Sequence, residues 1–156
     1  MKKIVTLLLI PIFSVAQTYD VLFIGNSYIY YNDLPIMLDN LANSLGDDIN
    51  FEQSTIGGET LEGHSTSPLT INKINQSNWD YVILQGQSQR SALSPAYVST
   101  NVTPFAQQLV NLIESNSICS EPLFFMTWGR KNGDQSYCAF YPPVCTFDGM
   151  QSRLRD

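Results

Sequence analysis

The stretch DVLFIGNSY, residues 20–28, decides the fold of this 156-residue chain. Its apolar run, residues 21–24, ends abruptly at glycine, asparagine and serine. Four large apolar residues without alternation are typical of a strand buried on both faces, as in a parallel sheet. Because ligands bind at the carboxyl edge of such sheets, Ser27 is the first candidate for chemistry. A turn that only ends the strand is the competing interpretation, since Asn and Ser are ordinary turn residues.

Three further segments end in the same way, at small or polar residues. They predict strands at residues 49–56, 79–84 and 122–127, and they lead into Gly57-Gly58, Gln85-Gly86-Gln87 and Trp128-Gly129-Arg130. Apolar residues at helical spacing alternate with these strands and predict helices at residues 34–45, 102–115 and 146–154, with a helical region at 61–76 and loops at 28–33 and 91–99. This order predicts an α/β fold, a three-layer sandwich with a parallel sheet between helices.

The first 16 residues predict a secretory signal peptide. Lys2 and Lys3 precede an apolar stretch at residues 4–13, and the small residues at 14 and 16 are typical of a cleavage site. This apolar stretch is too short to span a bilayer. We therefore expect a mature domain at residues 17–156 that is secreted or periplasmic, with no membrane insertion.

The charge of the chain narrows the choice of partners. It carries 14 Asp and Glu against 8 Lys and Arg, a formal net charge of −6, and loss of the leader's two lysines makes the mature domain more negative still. Nucleic acids are bound by Lys and Arg that neutralise phosphates, so the composition argues against a nucleic-acid partner. It argues equally against an anionic membrane surface.

Three cysteines remain in the predicted mature domain, so at least one thiol is unpaired within the chain. Cys138 and Cys145 flank a stiff, proline-containing loop, and we predict that they form a disulfide or at least lie close together. Cys119 is predicted to be a buried small apolar residue. A single histidine and the lack of a CxxC pair argue against a metal site.

The residues at the strand ends resemble the sequence blocks of the SGNH, or GDSL-type, serine hydrolases. Residues 24–27, Ile-Gly-Asn-Ser, are similar to the first block, with asparagine where the commonest motif has aspartate. Residues 55–60 are similar to the second block, and residues 81–88 to the third, where Gln87 stands at the position of the family's asparagine. The Thr-Trp-Gly-Arg sequence at 127–130 adds to the likeness to an exported bacterial subgroup.

The resemblance implies a serine esterase of the flavodoxin-like SGNH fold, with Ser27 as the nucleophile and no cofactor. It implies an oxyanion hole formed by the N–H groups of Ser27 and Gly58 and by the Gln87 side chain, with Gln85 as the competing amide. Contacts with the substrate are predicted for Asn26, Tyr28, Gln85 and Arg130. The tyrosines of residues 28–31 suit stacking on a sugar ring or packing at the mouth of the sheet. Trp128, Gly129 and Arg130 suit the wall of an acyl or sugar pocket or a strand-end turn with a surface arginine.

The sequence departs from the family at the general base, which the family takes from an Asp-x-x-His block near its C-terminus. This sequence has no such block, and its one histidine, His64, is predicted to be structural or close to the substrate. We therefore expect an SGNH domain that lacks its last strand and helix and is nearly inactive, since a serine without a base is a poor nucleophile. The expected function is hydrolysis of an ester, with a carbohydrate O-acetyl ester as the favoured substrate. The alternative is a non-catalytic carbohydrate-binding module on the same fold.

Overall fold

The computed structural model describes residues 16–156. The predicted signal peptide falls almost entirely on residues 1–15, which lie outside the described residues. Four parallel strands form one sheet in the order β2-β1-β3-β4, and they are β1 (Thr18–Gly25), β2 (Asp48–Thr55), β3 (Tyr81–Leu84) and β4 (Glu121–Phe124). Helices flank this sheet, so the predicted parallel α/β architecture is confirmed.

The central strand is β1, which pairs with β2 on one side and β3 on the other. Its four apolar residues are all buried, as the unbroken run predicts. Leu22 and Ile24 point into a core beneath one helical layer, and Val21 and Phe23 point into the core on the opposite face. Because both faces are covered, this strand fixes the position of the Gly-Asn-Ser sequence that follows it.

The helices of the described chain are α1 (Ser27–Tyr30), α2 (Leu34–Leu45), α3 (Leu61–Thr66), α4 (Pro68–Gln76), α5 (Ser88–Ser91), α6 (Pro95–Asn101), α7 (Thr103–Asn116) and α8 (Phe147–Arg155). A short 3₁₀ turn, Pro142–Cys145, precedes the last of these. Helices α1 and α2 lie against one face of the sheet, whereas α3, α4 and α7 cover the other. None of the helices within residues 16–156 is long and apolar enough to cross a membrane.

Helix α2 begins and ends where the sequence predicts. Gly46 adopts a left-handed conformation with φ of 94° and donates its N–H to the carbonyls of Ala42 and Asn43, which ends the helix. Asp33, directly before the helix, is of a residue type that often caps helices and would be expected to cap this one, but it does not. Asp33 itself has a φ of 50°, and its carboxylate makes no capping hydrogen bond.

Two segments predicted as loops contain helices. A single turn, α1, opens the segment at 28–33, because Asn26 caps it by accepting the N–H of Tyr28. The segment at 91–99 contains the start of α6, where the hydroxyl of Ser94 caps the helix and Pro95 occupies its first turn. The helical region at 61–76 is divided in two by Pro68, which cannot continue a helix from its N-terminal side.

Residues 129–146, between β4 and α8, are here called the disulfide loop. Cys138 and Cys145 form the predicted disulfide, with their Cα atoms 4.6 Å apart. The loop packs through a small apolar cluster of its own, made by Ala92, Val144 and Met150, which joins it to the segment after α5 and to α8. Cys119 is exposed, so its predicted burial is wrong; it lies in the surface turn between α7 and β4.

Candidate active site

Ser27 stands at the carboxyl end of the central strand, as the first residue of α1, and is half-buried. The strand ends at Gly25, where a Cβ atom would lie 2.6 Å from Oε1 of Gln85 and 2.7 Å from Cδ1 of Ile29. These contacts are too close for any side chain at position 25. The glycine therefore lets the chain turn tightly over Gln85 and present Ser27 at the edge of the sheet.

Asn26 holds this turn in place with three hydrogen bonds. Its N–H donates to Oε1 of Gln85 at 2.9 Å, its Nδ2 donates to the carbonyl of Glu59 at 2.9 Å, and its Oδ1 accepts the N–H of Tyr28 at 3.2 Å. Asn26 is 2% exposed and Gln85 is fully buried. Both residues, for which substrate contacts were predicted, lie beneath the surface that a substrate reaches and support the backbone of the Ser27 turn.

The loop after β2 contacts the Ser27 turn through two hydrogen bonds. The N–H of Ile56 donates to the carbonyl of Gly25 at 3.1 Å, and the carbonyl of Glu59 accepts from Asn26. Gly58 lies between them, exposed, with a left-handed φ of 72°. Within residues 16–156 no hydrogen bond occupies the N–H of Ser27 or of Gly58. Both predicted oxyanion donors are therefore without a hydrogen-bond partner among the described residues, and Gly58 does not line the cavity that opens beside Ser27.

Gln87 caps α5, with its Oε1 accepting the N–H of Arg90 at 2.9 Å. Its Nε2 donates to Oε1 of Gln89 at 2.7 Å, which uses one of the two amide hydrogens. Gln87 does not line the cavity beside Ser27 and instead borders a separate hollow with Thr60 and Arg90. The structure therefore places the Gln87 side chain outside the Ser27 cavity.

A cavity of about 240 Å³ opens beside Ser27, and its other lining residues are Tyr28, Tyr31, Asn32 and Trp128. The rings of Tyr28 and Trp128 stack at a tilt of 60°, with 4.9 Å between their centroids. The hydroxyl of Tyr28 accepts a hydrogen bond from Ser88 at 3.3 Å, and Tyr31 is 80% exposed. The sequence interpretation missed Asn32. It is the second residue after α1, and an asparagine in a turn gives no sequence signal that separates a cavity residue from an ordinary turn residue.

His64 is fully buried, and both of its ring nitrogens are engaged. Nε2 lies 2.9 Å from the carbonyl oxygen of Gly25, and Nδ1 lies 2.9 Å from the hydroxyl of Thr70. Burial lowers the pKa of His64 below its ordinary value, and the Gly25 carbonyl and the charge of Glu59 oppose this shift only in part. The structure therefore places His64 as a neutral support beneath the Ser27 turn.

Arg130 is largely exposed and does not line the Ser27 cavity. Its Nη1 lies 3.8 Å from Oδ2 of Asp134, a carboxylate that is 1% exposed within the disulfide loop. Burial by itself raises the pKa of Asp134, but the hydrogen bonds from Ser136, the nearby amide of Gln89 and the charge of Arg130 outweigh it, so the pKa lies below its usual value. Asp134 is thus a buried anion at the base of the loop.

Residues 16–156 contain no group of three or more His, Cys, Asp or Glu side chains that could hold a metal ion.

No protein-family model matches this chain, and no curated protein matches it significantly. Several solved structures are similar in fold. A DUF4886 family protein from Bacteroides uniformis ATCC 8492 superposes with a TM-score of 0.69 at 20% identity, over 88% of this chain and 60% of that one. The chain thus spans 60% of the length of that structure, and the likeness shows a shared fold.

Two more distant structures were also found. The psychrotrophic esterase EstA from Pseudoalteromonas sp., in a form inhibited by monoethylphosphonate, has a TM-score of 0.48 at 12% identity, over 88% of this chain and 74% of that one. A lipase/acylhydrolase from Enterococcus faecalis has a TM-score of 0.47 at 13% identity, over 88% and 68%.

Proposed function

We propose that Ser27 is the nucleophile of an exported, SGNH-type serine hydrolase that acts on a carbohydrate O-acetyl ester. The observation that carries this proposal is the position of Ser27. It stands half-buried at the carboxyl edge of the central strand and lines a cavity, and its own N–H and that of Gly58 have no hydrogen-bond partner within residues 16–156. An unoccupied pair of backbone donors next to a nucleophilic hydroxyl is what acyl transfer needs.

In the proposed reaction the hydroxyl oxygen of Ser27 attacks the ester carbonyl and gives its proton to a general base. The negative oxygen of the tetrahedral intermediate accepts hydrogen bonds from the N–H groups of Ser27 and Gly58. The sugar leaves as an alcohol that takes up the proton, and water then hydrolyses the acetyl-serine. Each oxyanion donor is worth on the order of 3 kcal/mol of transition-state stabilisation.

The proposal assigns no catalytic proton transfer to His64. Its Nε2 and Nδ1 are bonded to Gly25 and Thr70, so neither nitrogen is available to the hydroxyl of Ser27. We therefore expect hydrolysis by this chain to stay near background until a base is supplied. Imidazole in solution is a suitable base, because it has the chemistry of a histidine side chain.

The proposed substrate follows from the size and lining of the cavity. A volume of about 240 Å³ accommodates a small acyl group with part of a sugar ring, and the exposed rings of Tyr31 and Trp128 offer apolar faces for stacking. The acidic composition disfavours anionic substrates such as phosphate esters. A neutral acetylated sugar satisfies both conditions.

The test is imidazole-dependent hydrolysis of an aryl acetate by the wild-type chain and by Ser27→Ala. The matched control is Ser99→Ala, an exposed serine on α6. We expect imidazole to raise the protein-dependent rate of the wild type and of Ser99→Ala, and not that of Ser27→Ala. A protein-dependent rate that is equal in all three proteins would contradict the assignment of the nucleophile.

The second candidate is a carbohydrate-binding module that performs no chemistry. Two observations favour it. Three aromatic side chains line the cavity, and both ring nitrogens of His64, the single histidine of the sequence, are already hydrogen-bonded. Titration with neutral oligosaccharides, followed by tryptophan fluorescence, separates the two functions. Binding that survives Ser27→Ala, together with no imidazole-dependent hydrolysis by the wild type, would favour the module.

A further inference from the structure

We propose that Asp134 is a positioning residue that orients the side-chain amide of Gln87 through Ser136 and Gln89. The inference rests on the proposed function and extends it by one donor, the amide nitrogen of Gln87, which the family resemblance implies for the oxyanion hole and which borders the hollow beside Thr60 and Arg90. It assigns a role to the disulfide loop, which otherwise contributes no residue to the Ser27 cavity.

The chain of hydrogen bonds starts at the Asp134 carboxylate. An ionised carboxylate has no hydrogen to donate, so it acts only as an acceptor. Its Oδ1 accepts from the N–H of Ser136 at 3.0 Å and from the hydroxyl of Ser136 at 2.5 Å. Because the hydroxyl hydrogen of Ser136 is used in this way, its oxygen is left as an acceptor. It accepts from Nε2 of Gln89 at 3.2 Å.

This arrangement determines which way both glutamine amides face. With Nε2 of Gln89 directed at Ser136, its Oε1 is directed at Gln87 and accepts from Nε2 of that residue at 2.7 Å. The N–H of Arg90 can only donate, so its 2.9 Å contact with Oε1 of Gln87 favours the same orientation as the relay. Each donor in the chain, Nε2 of Gln87, Nε2 of Gln89 and the hydroxyl of Ser136, thus points toward Asp134. Nε2 of Gln87 carries two hydrogens and uses one of them for Gln89, so the second is available to another acceptor. A reversed amide would present an acceptor oxygen, which repels an oxyanion.

The starting point of the chain is fixed by the fold of the disulfide loop. The N–H of Asp134 donates to the carbonyl of Val144 at 2.7 Å, and its carbonyl accepts the N–H of Cys138 at 2.9 Å. Cys138 is joined to Cys145 by the disulfide. Gly133 packs so closely on this segment that a Cβ there would lie 2.3 Å from the carbonyl carbon of Cys145. A buried carboxylate held this firmly can set the direction of the bonds that follow.

The first experiment observes the side-chain amide groups by ¹⁵N NMR in the full chain. Ser136→Ala interrupts the relay, Ser136→Thr keeps the hydroxyl, and Gln135→Ala is the matched control on the same loop, outside the relay. We expect Ser136→Ala to shift the Gln89 and Gln87 amide resonances and to speed solvent exchange of the Gln87 amide hydrogens about fivefold, as for the loss of one hydrogen bond. Ser136→Thr and Gln135→Ala should resemble the wild type.

An unchanged Gln87 amide in Ser136→Ala, or an equal change in Gln135→Ala, would overturn the inference.

The second experiment measures imidazole-dependent ester hydrolysis by Asp134→Asn, in which the acceptor-only group is lost. We expect kcat to fall about tenfold with KM unchanged, because only the transition state carries the oxyanion, whereas an unchanged kcat would overturn the catalytic part of the inference. If the NMR coupling is present but no variant hydrolyses the ester through Ser27, the proposed function fails and the relay stands.

Discussion

His64 donates its Nε2 hydrogen to the carbonyl oxygen of Gly25, 2.9 Å away, directly beneath the turn that carries Ser27. A carbonyl oxygen can only accept, so this contact sets the tautomer, and Nδ1 is left to accept from the hydroxyl of Thr70. Thr70 in turn lies 2.9 Å from the hydroxyl of Ser54 on β2. The buried imidazole therefore links the ends of β1 and β2 to α4, and it needs to be neutral to do so.

The first prediction is that the protein loses stability as the pH falls below 6.5. The pKa of His64 is lowered by burial, so the unfolded chain binds a proton at a pH where the folded protein does not. The stabilisation is complete above the unfolded pKa of about 6.5 and is lost toward the lower, folded pKa. Urea unfolding at pH 7.5 and at pH 6 should show a decrease of at most about 1.4 kcal/mol per pH unit.

The chain has one histidine, so no other side chain with an ordinary pKa titrates in this range. The control is His64→Gln, whose amide is uncharged at both pH values. We expect this variant to be less stable at pH 7.5 and to show little dependence on pH between 6 and 7.5. A wild-type stability that is constant or rises toward pH 6 would show that His64 is not a buried neutral group.

The second prediction concerns the tight turn at Gly25. Gly25→Ala places a methyl group 2.6 Å from Oε1 of Gln85 and 2.7 Å from Ile29, so we expect a loss of about 1–3 kcal/mol in the free energy of unfolding. Gly86→Ala is the matched control after β3, because the nearest atom there is a serine hydroxyl at 3.0 Å that can rotate away. Chemical denaturation measures both variants, and equal losses would contradict the proposed role of the Gly25 contact.

The third prediction concerns the cysteines. Replacing both Cys138 and Cys145 by serine opens a short loop, and we expect this to lower the free energy of unfolding by about 2 kcal/mol. Cys119→Ser should change it by less than about 0.5 kcal/mol, because the thiol is exposed and unpaired. A maleimide should label the native wild type once, at Cys119. Labelling at two or three positions would show that the disulfide does not form.

The fourth prediction concerns Trp128 in the wall of the cavity. Its indole is 52% exposed and stacks on Tyr28, so Trp128→Ala should reduce binding of an acetylated sugar about tenfold and change stability little. Trp128→Phe keeps an aromatic face and should retain most of the affinity. Isothermal titration calorimetry measures both variants. Unchanged affinity in Trp128→Ala would exclude the aromatic wall as a sugar-binding surface.

The fold was predictable from the sequence because its main strand carries an unambiguous pattern. The apolar run at 21–24 has no polar interruption, and helix α2 is bounded by Gly46, whose left-handed conformation ends a helix. The short helices were less visible, because α1 and α6 depend on single capping contacts from Asn26 and Ser94 and not on apolar periodicity. Such local hydrogen bonds compete with loop conformations that use the same residues.

The candidate site was predictable only in outline. The position of Ser27 follows from the end of β1, and the free N–H of Gly58 follows from the glycine turn after β2. The burial of Asn26 and Gln85 could not be predicted, because polar residues after a strand suit a ligand contact and a support of the backbone equally well. The link from Gln87 to Asp134 spans 47 residues and depends on how the disulfide loop packs on α5.

The central claim is that Ser27 attacks an ester carbonyl, and the most direct measurement is where an acetyl group becomes attached. The wild-type chain is incubated with an aryl acetate and imidazole, quenched in acid before deacylation is complete, and digested for peptide mass spectrometry. The account predicts an imidazole-dependent acetyl ester on Ser27, which disappears when hydroxylamine is added. Acetylation that is absent from Ser27, or that occurs equally at exposed serines such as Ser99, would contradict it.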